Sequence, residues 1–176
     1  MAAECFRVEP LAPEHHRPSF SSGSDALDRY FHDQVNQDIR RRLAVAYVLV
    51  DTSTNAVVGY YTLSSLSIVA KSLPDEIRRR LARYPAFPAV LIGRFAIDRH
   101  YQRQGLGGRL LKEGLRRSLE VSQQIGAFAV IVDAKDDTAR TFYERYGFMR
   151  FLDDEYRMFL PMRTIEQLFP ETLPRA

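Results

Sequence analysis

Apolar residues recur every fourth position through SGSDALDRYFHDQVNQDIRRR, at Leu27, Phe31, Val35 and Ile39. That spacing predicts an amphipathic helix, with Ser24 as N-cap and acids in its first turn. Before it, CFRVEPL (5–11) reads as a short strand. After it, AVAYVLVD (44–51), the turn TSTN and VVGYYTLSSLSIV (57–69) read as a β-hairpin rich in β-branched and aromatic residues. Pro74 is placed to open a helix at its first position, with Ile77, Leu81 and Tyr84 on one face. AVLIGRFAID (89–98) is nearly continuous in its apolar character, as a strand covered on both sides requires. Leu106, Leu110, Leu111, Leu115 and Leu119 stripe the next helix. AFAVIVDA (127–134) is a second buried strand, DTARTFYERYG (137–147) a short helix stopping at Gly147, and FMRFLD and YRMFLPM two closing strands. The order predicts one α/β domain over residues 1–176, a mixed central sheet flanked by helices.

Composition adds exclusions. The chain has 176 residues, 45% hydrophobic and 27% charged, as a globular protein has. No stretch approaches the roughly eighteen uncharged apolar residues of a membrane-spanning helix. The start lacks a signal-peptide pattern and Cys5 is the single cysteine, so a reducing cytoplasm is the expected location. His15, His16, His32 and His100 show no metal spacing and read as surface residues, so no metal is expected. Charge is uneven. Residues 71–117 carry twelve Lys and Arg against four Asp and Glu, a local +8, between acidic flanks. A basic middle suggests a site for a polyanion.

The glycine segment QRQGLGGRLL, starting at Gln102, follows the central strand. A dinucleotide fingerprint would need a third glycine where Leu110 stands. A P-loop would need Gly-Lys-Ser/Thr where the chain reads Gly108-Arg109-Leu110. What remains is a strand, a short loop, three glycines and a helix N-terminus. That series points backbone N–H groups at one spot, with Arg103 and Arg109 adding charge, and pyrophosphate suits it.

These residues also carry a family resemblance. Gln102-Arg103-Gln104-Gly105-Leu106-Gly107 resembles the Gln/Arg-x-x-Gly-x-Gly/Ala motif of the GNAT acetyltransferases, and IGRFAIDRHYQ resembles their splayed central strand. DDTARTFYERYGF resembles their Asn-x-x-Ala-x-x-Phe-Tyr-x-x-x-Gly-Phe segment, with Asp136 in place of the asparagine. The resemblance covers roughly residues 5–162. It implies the GNAT fold, with a splayed central strand pair, and acetyl-CoA as cofactor. Gln102 to Gly108 and Arg109 would cradle the pyrophosphate. Phe95, Ala96 and Ile97 would pair with pantetheine, and Asp136, Ala139 and Phe142 belong to the second cofactor segment. Tyr143 becomes the candidate general acid, its phenol protonated at neutral pH and able to donate to a thiolate. A backbone N–H near Ile97 would polarise the thioester carbonyl.

No glutamate stands on the central strand to serve as base. An α-amine of pKa about 7.7–8.0 needs one less than a lysine of about 10.4 does. FSSGSDALDRYF (20–31), with Phe20, Gly23, Leu27 and Asp28 in register, together with GYYTLSSLSI, resembles the GNAT toxins of bacterial toxin–antitoxin modules. That resemblance implies acetylation of the α-amino group of aminoacyl-tRNA, arrest of translation and a ribbon-helix-helix antitoxin partner. Arg40, Arg41, Arg42, Arg78, Arg79, Arg80, Arg83 and Arg94 are the candidates for an acceptor-stem track. Acetylation of protein N-termini or of a small amine is the alternative. A homodimer is expected from the family and from the apolar last strands.

Overall fold

Each four-residue step of the Leu27–Ile39 stripe overshoots a 3.6-residue helical turn by about 40°, so a plain helix would rotate its apolar face away from the core. The chain absorbs that drift with one wide turn. In the computed structural model, which describes residues 5–81 and 83–172, α1 (Asp25–Arg29) passes through a π turn (Tyr30–Gln34) into α2 (Val35–Arg40). The Val35 N–H reaches back five residues to the Tyr30 carbonyl. Phe31 and Val35 are thereby fully buried. Ser24 caps the N-terminus, accepting from the Leu27 N–H.

The sheet has seven strands in the order β1-β2-β3-β4-β5-β7-β6. They are β1 (Phe6–Pro10), β2 (Val45–Asp51), β3 (Ala56–Val69), β4 (Ala86–Ile97), β5 (Ala129–Asp133), β6 (Met149–Arg150) and β7 (Arg157–Pro161). β1, β2 and β3 pair antiparallel, as do β5, β7 and β6. β4 and β5 form the parallel pair that makes the sheet mixed, from Ala89↔Ala129 to Ile92↔Val132. The remaining helices are α3 (Asp75–Arg78), α4 (Leu106–Ser122), α5 (Asp137–Arg145) and α6 (Met162–Leu168).

Contacts divide the chain into two compact units, Met1–Ser64 with Gly93–Gly114, and Ser65–Ile92 with Leu115–Ala176. The core of the first centres on aromatic rings. Phe31 stacks on Tyr60 with centroids 4.2 Å apart, and Phe20 meets both edge-on. The buried Tyr60 hydroxyl donates to the Leu27 carbonyl at 2.7 Å, tying the helix to β3. The second unit buries Ile68, Leu73, Phe87, Ile131 and Phe159 together. The leucine stripe of α4 is buried as its spacing required.

Four expectations fail locally. The helix after Pro74 ends at Arg78, and Pro74 stands one position earlier, as its N-cap. Tight turns through Arg80 and Leu81 follow, and Tyr84 is left exposed. FMRFLD yields only the two-residue β6, because Asp154 Oδ1 accepts the N–H groups of Tyr156 and Arg157 and folds the acidic segment into a turn. Strand β7 stops at Pro161, and α6 begins at Met162 with Met162 and Ile165 buried three apart. His15 is buried where a surface histidine was expected. The Ala12 N–H donates to its Nδ1, and Nε2 lies 2.6 Å from Glu9 Oε1. Those two bonds satisfy the ring, and the one to Glu9, with a second from Arg7, holds the Glu9 carboxyl below its usual range.

Gly59 on β3 stands where neighbouring groups leave no room for a side chain. A Cβ there would stand 2.7 Å from Ile97 Cδ1, 3.2 Å from the Ala96 carbonyl oxygen and 3.2 Å from Leu110 Cδ2. Gly59→Ala is expected to lower stability by about 1–3 kcal/mol in urea unfolding. An unchanged midpoint would mean that Ile97 and Leu110 yield without strain.

Candidate functional site

The end of β4 and the glycine loop make the first group of candidate residues. The β4–β5 ladder ends at Ile92↔Val132, and β4 runs on through Gly93–Ile97. Phe95, half-buried, and Ala96 and Ile97, both buried, lie on that continuation. A short turn at Arg99–Tyr101 follows, and then Gln102 begins the loop. Arg103 has φ +62° and Gly105 φ +77°, so the loop uses the left-handed region twice in three residues. At Gly105 the reason for glycine is conformational, since an added Cβ would meet nothing within 4 Å.

Helix α4 starts at Leu106, with the Arg109 N–H accepted by the Gly105 carbonyl at 3.2 Å. Its first turn carries no acid, and Gly107 and Gly108 place no side chain over the N–H groups there. Seventeen residues of aligned peptide dipoles add positive potential at this end. Arg109 Nη2 donates to the Phe6 carbonyl at 2.7 Å, so its charge is anchored beside the helix start. Gln104 donates to the His100 carbonyl at 3.3 Å, and Arg103 is exposed. Unpaired backbone donors, a helix N-terminus and positive charge together suit a multiply charged anion.

A separate group of candidate residues lies in the other compact unit. Asp136 caps α5, its Oδ1 accepting the Ala139 N–H at 2.8 Å. The carboxylate therefore fills the N-cap role at the position where the motif has asparagine. Gly147, at φ +92°, ends the helix: its N–H reaches the Glu144 carbonyl and the Phe148 N–H the Tyr143 carbonyl. Between those ends Tyr143 is 5% exposed, flanked by the rings of Phe142 and Phe148 at 5.3 and 5.5 Å. Burial, and then the charge of Asp133, push its phenol well above its ordinary value. It is fully protonated at neutral pH.

The arginines fall into three groups. Arg40, Arg41 and Arg42 are all exposed at the end of α2. The Arg42 N–H bonds the Ile39 carbonyl and the Leu43 N–H the Asp38 carbonyl, the same turn that Gly147 makes, but with an arginine at φ +59°. Arg78, Arg79, Arg80 and Arg83 are exposed in the other unit, Arg78 paired with Asp75 at 2.8 Å. Arg94 lies with its guanidinium 4.2 Å from the Tyr30 ring centroid, and the Tyr30 hydroxyl donates to Asp38 at 2.9 Å.

Sequence reasoning passed over Asp98, Tyr30 and Asp38 as site-forming residues, and it used Asp28 only as a motif position. Asp28 accepts from Ser22 twice, and Asp98 accepts from Ser21. The available signal was the Ser-Ser-Gly-Ser run itself, whose backbone groups need partners that no regular ladder supplies. Among the described residues no cluster of three His, Cys, Asp or Glu could hold a metal, and no helix is long and apolar enough to cross a membrane.

A family model described as an acetyltransferase (GNAT) domain matches residues 21–164. A probable toxin TacT of Sinorhizobium fredii is 31% identical over 169 residues, covering 92% of this chain and 93% of its own. A tRNA-acetylating toxin of Mycobacterium tuberculosis is 32% identical over 156 residues, covering 85% of this chain and 88% of its own. Among solved structures, a tyrosine-to-phenylalanine mutant of KacT superposes with a TM-score of 0.88 at 28% identity, covering 93% of this chain and 99% of its own. AtaT complexed with acetyl-methionyl-tRNAfMet gives 0.86 at 29%, covering 93% and 99%. A tyrosine-to-phenylalanine mutant of AtaT, bound to the C-terminus of the antitoxin AtaR and to acetyl-CoA, gives 0.79 at 27%, covering 94% and 98%.

The left-handed conformation costs a side-chain-bearing residue about 1 kcal/mol that glycine does not lose. Arg42→Gly is therefore expected to raise stability by about that amount in urea unfolding. A lower midpoint would show that the Arg42 side chain itself holds the turn.

Proposed function

Since this chain belongs to the GNAT acetyltransferase family, we propose that it acetylates the α-amino group of an aminoacyl-tRNA with acetyl-CoA and, as the toxin of a toxin–antitoxin module, halts translation. The observation that carries this reading is the similarity, over nearly the whole chain, to proteins named as tRNA-acetylating or TacT toxins. A solved relative with acetyl-methionyl-tRNA and another with acetyl-CoA support the substrate and the cofactor.

Acetyl-CoA supplies the acyl group as a thioester. The glycine loop suits its pyrophosphate, since Gly105, Leu106, Gly107 and Gly108 offer backbone N–H groups that no acid competes for. Gln102, Arg103, Gln104 and Arg109 shape and charge that loop. The backbone of Phe95, Ala96 and Ile97 would align the pantetheine arm, and an N–H near Ile97 would polarise the carbonyl. Asp136, Ala139 and Phe142 set the helix that carries Tyr143. As the amine nitrogen bonds to the carbonyl carbon and the C–S bond breaks, Tyr143 would give its proton to the departing thiolate. It would regain one from the amine nitrogen, leaving a neutral amide and a free thiol. Its high proton affinity keeps it in the donor form across the physiological range. A tyrosine is also the residue replaced in two of the solved relatives.

The exposed guanidinium groups of Arg40–Arg42, Arg78–Arg80, Arg83 and Arg94 suit the phosphates and stacked bases of an acceptor end. A small cationic amine would have no use for them. The AtaR complex supports an antitoxin partner, which we take to be of the ribbon-helix-helix class, and the toxin itself we take to be a homodimer. Charged tRNA places the reaction in the cytoplasm.

Mass spectrometry of total aminoacyl-tRNA after incubation with acetyl-CoA tests the reading. An added acetyl group on the aminoacyl end is expected, and unmodified tRNA beside acetylated peptide N-termini would reject it. Tyr143→Phe is expected to lower kcat at least a hundredfold while leaving acetyl-CoA affinity within twofold. A smaller loss would remove Tyr143 from the proton transfer. Reversing charge at Arg78, Arg79 and Arg80 is expected to weaken tRNA binding and to flatten its salt dependence. An unchanged slope would assign those arginines elsewhere.

A further inference from the structure

The segment Ser21–Ser22 has no regular secondary structure, yet all four of its backbone polar groups are paired. The Ser21 N–H donates to Asp98 Oδ2 at 3.0 Å, and the Ser21 carbonyl accepts the Arg99 N–H at 2.8 Å. The Ser22 N–H and hydroxyl both donate to Asp28 Oδ1, at 2.8 and 2.7 Å. The Ser22 carbonyl accepts from Gln102 Nε2 at 2.8 Å, and the same nitrogen donates to the Ile97 carbonyl at 2.9 Å. Two carbonyl acceptors use both hydrogens of the Gln102 amide, so its donors face inward, toward backbone.

Gln102 is the first residue of the glycine loop, and Arg103 turns left-handed directly after it. The loop therefore leaves β4 from an anchor whose second point is the Ser22 carbonyl. Ser22 is in turn clamped by Asp28, a residue of α1. A continuous chain of hydrogen bonds runs from the helix, through Ser22, to the loop. We propose that Gln102 and Asp28 are positioning residues that hold the glycine loop in its anion-binding shape, with the Ser21–Ser22 segment as the strut between them. This rests on the acetyl-CoA reading of the loop. It gives the N-terminal Phe-x-x-Gly-x-x-x-Leu-Asp stretch a task in cofactor binding, and it ties the loop mechanically to α1.

The test combines Gln102→Met, which keeps length and removes both donors, with Asp28→Leu, which removes the clamp. Each is expected to weaken acetyl-CoA binding in calorimetry roughly tenfold through lost preorganisation. The double variant is expected to match the single ones, because both cut the same chain of bonds. Asp28→Asn leaves one carbonyl oxygen for Ser22 and is expected to bind near the wild-type level. In the cofactor-free protein, amide exchange at Arg109, whose N–H bonds the Gly105 carbonyl, and at Ser22 is expected to accelerate together in Gln102→Met. Weakening by Gln102→Met with no effect of Asp28→Leu would make Gln102 a direct ligand and overturn the proposal. So would effects that multiply in the double variant. Gln102→Met alone decides the matter if Asp28→Leu does not fold, since unchanged exchange at Ser22 and Arg109 would overturn it. A wild-type protein that binds no acetyl-CoA would reject the cofactor reading instead, and the exchange rates would still judge the strut.

Discussion

A strand that runs past its neighbour must satisfy its backbone in some other way. At the end of β4 this requirement organises much of the first unit. Beyond Ile92 the parallel ladder with β5 is over, and the Asp98 N–H turns to the Val58 carbonyl on β3. The Arg99 N–H goes to Ser21, and the Ile97 carbonyl takes a side-chain amide. The irregular stretch before α1 therefore serves as a substitute ladder partner for the exit of the central strand. Unsatisfied buried peptide groups cost more than most single contacts gain, so the sequence around Ser21 and Ser22 has little freedom.

The wide turn in the first helix has a similar economy. It brings the Leu27–Ile39 stripe back onto the core and sets Tyr30 beneath Arg94. Burial and the bond to Asp38 raise the Tyr30 phenol to about 12, while the charge of Arg94 draws it the other way. Tyr30 therefore stays neutral and offers its ring face to the cation. The Asp38 carboxylate fixes the ring from its far end. The exposed guanidinium of Arg94 is thus held on a platform, whereas Arg40 and Arg41 project from a helix end.

The leucine stripe of α4, the apolar run of β4 and the two glycine stops at 105 and 147 were all legible, because each rests on a local rule. The family motifs added the order of the parts. The π turn was not legible, although the strict four-residue spacing was its trace. Periodicity extended α3 to Tyr84, but Pro85 disfavours helical backbone at the residue before it. The exposed Arg78, Arg79 and Arg80 add no apolar packing to hold a longer helix. Helix α6 hid behind an apolar tail that reads equally as strand, and only Pro161 followed by Met162 and Ile165 marks it. The burial of His15 depends on Glu9 and on the Ala12 N–H, partners that composition does not reveal. Asp28 was visible as a motif position, yet its work is to hold Ser22, a tertiary contact that no spacing rule encodes.

Two arginines, at 42 and 103, occupy backbone conformations where glycine would sit without strain. Every arginine codon lies a single nucleotide from a glycine codon. Replication errors therefore keep producing the relaxed chain at both positions, with no neighbouring change needed. At each of these two positions, then, one nucleotide change separates the strained backbone from a relaxed one.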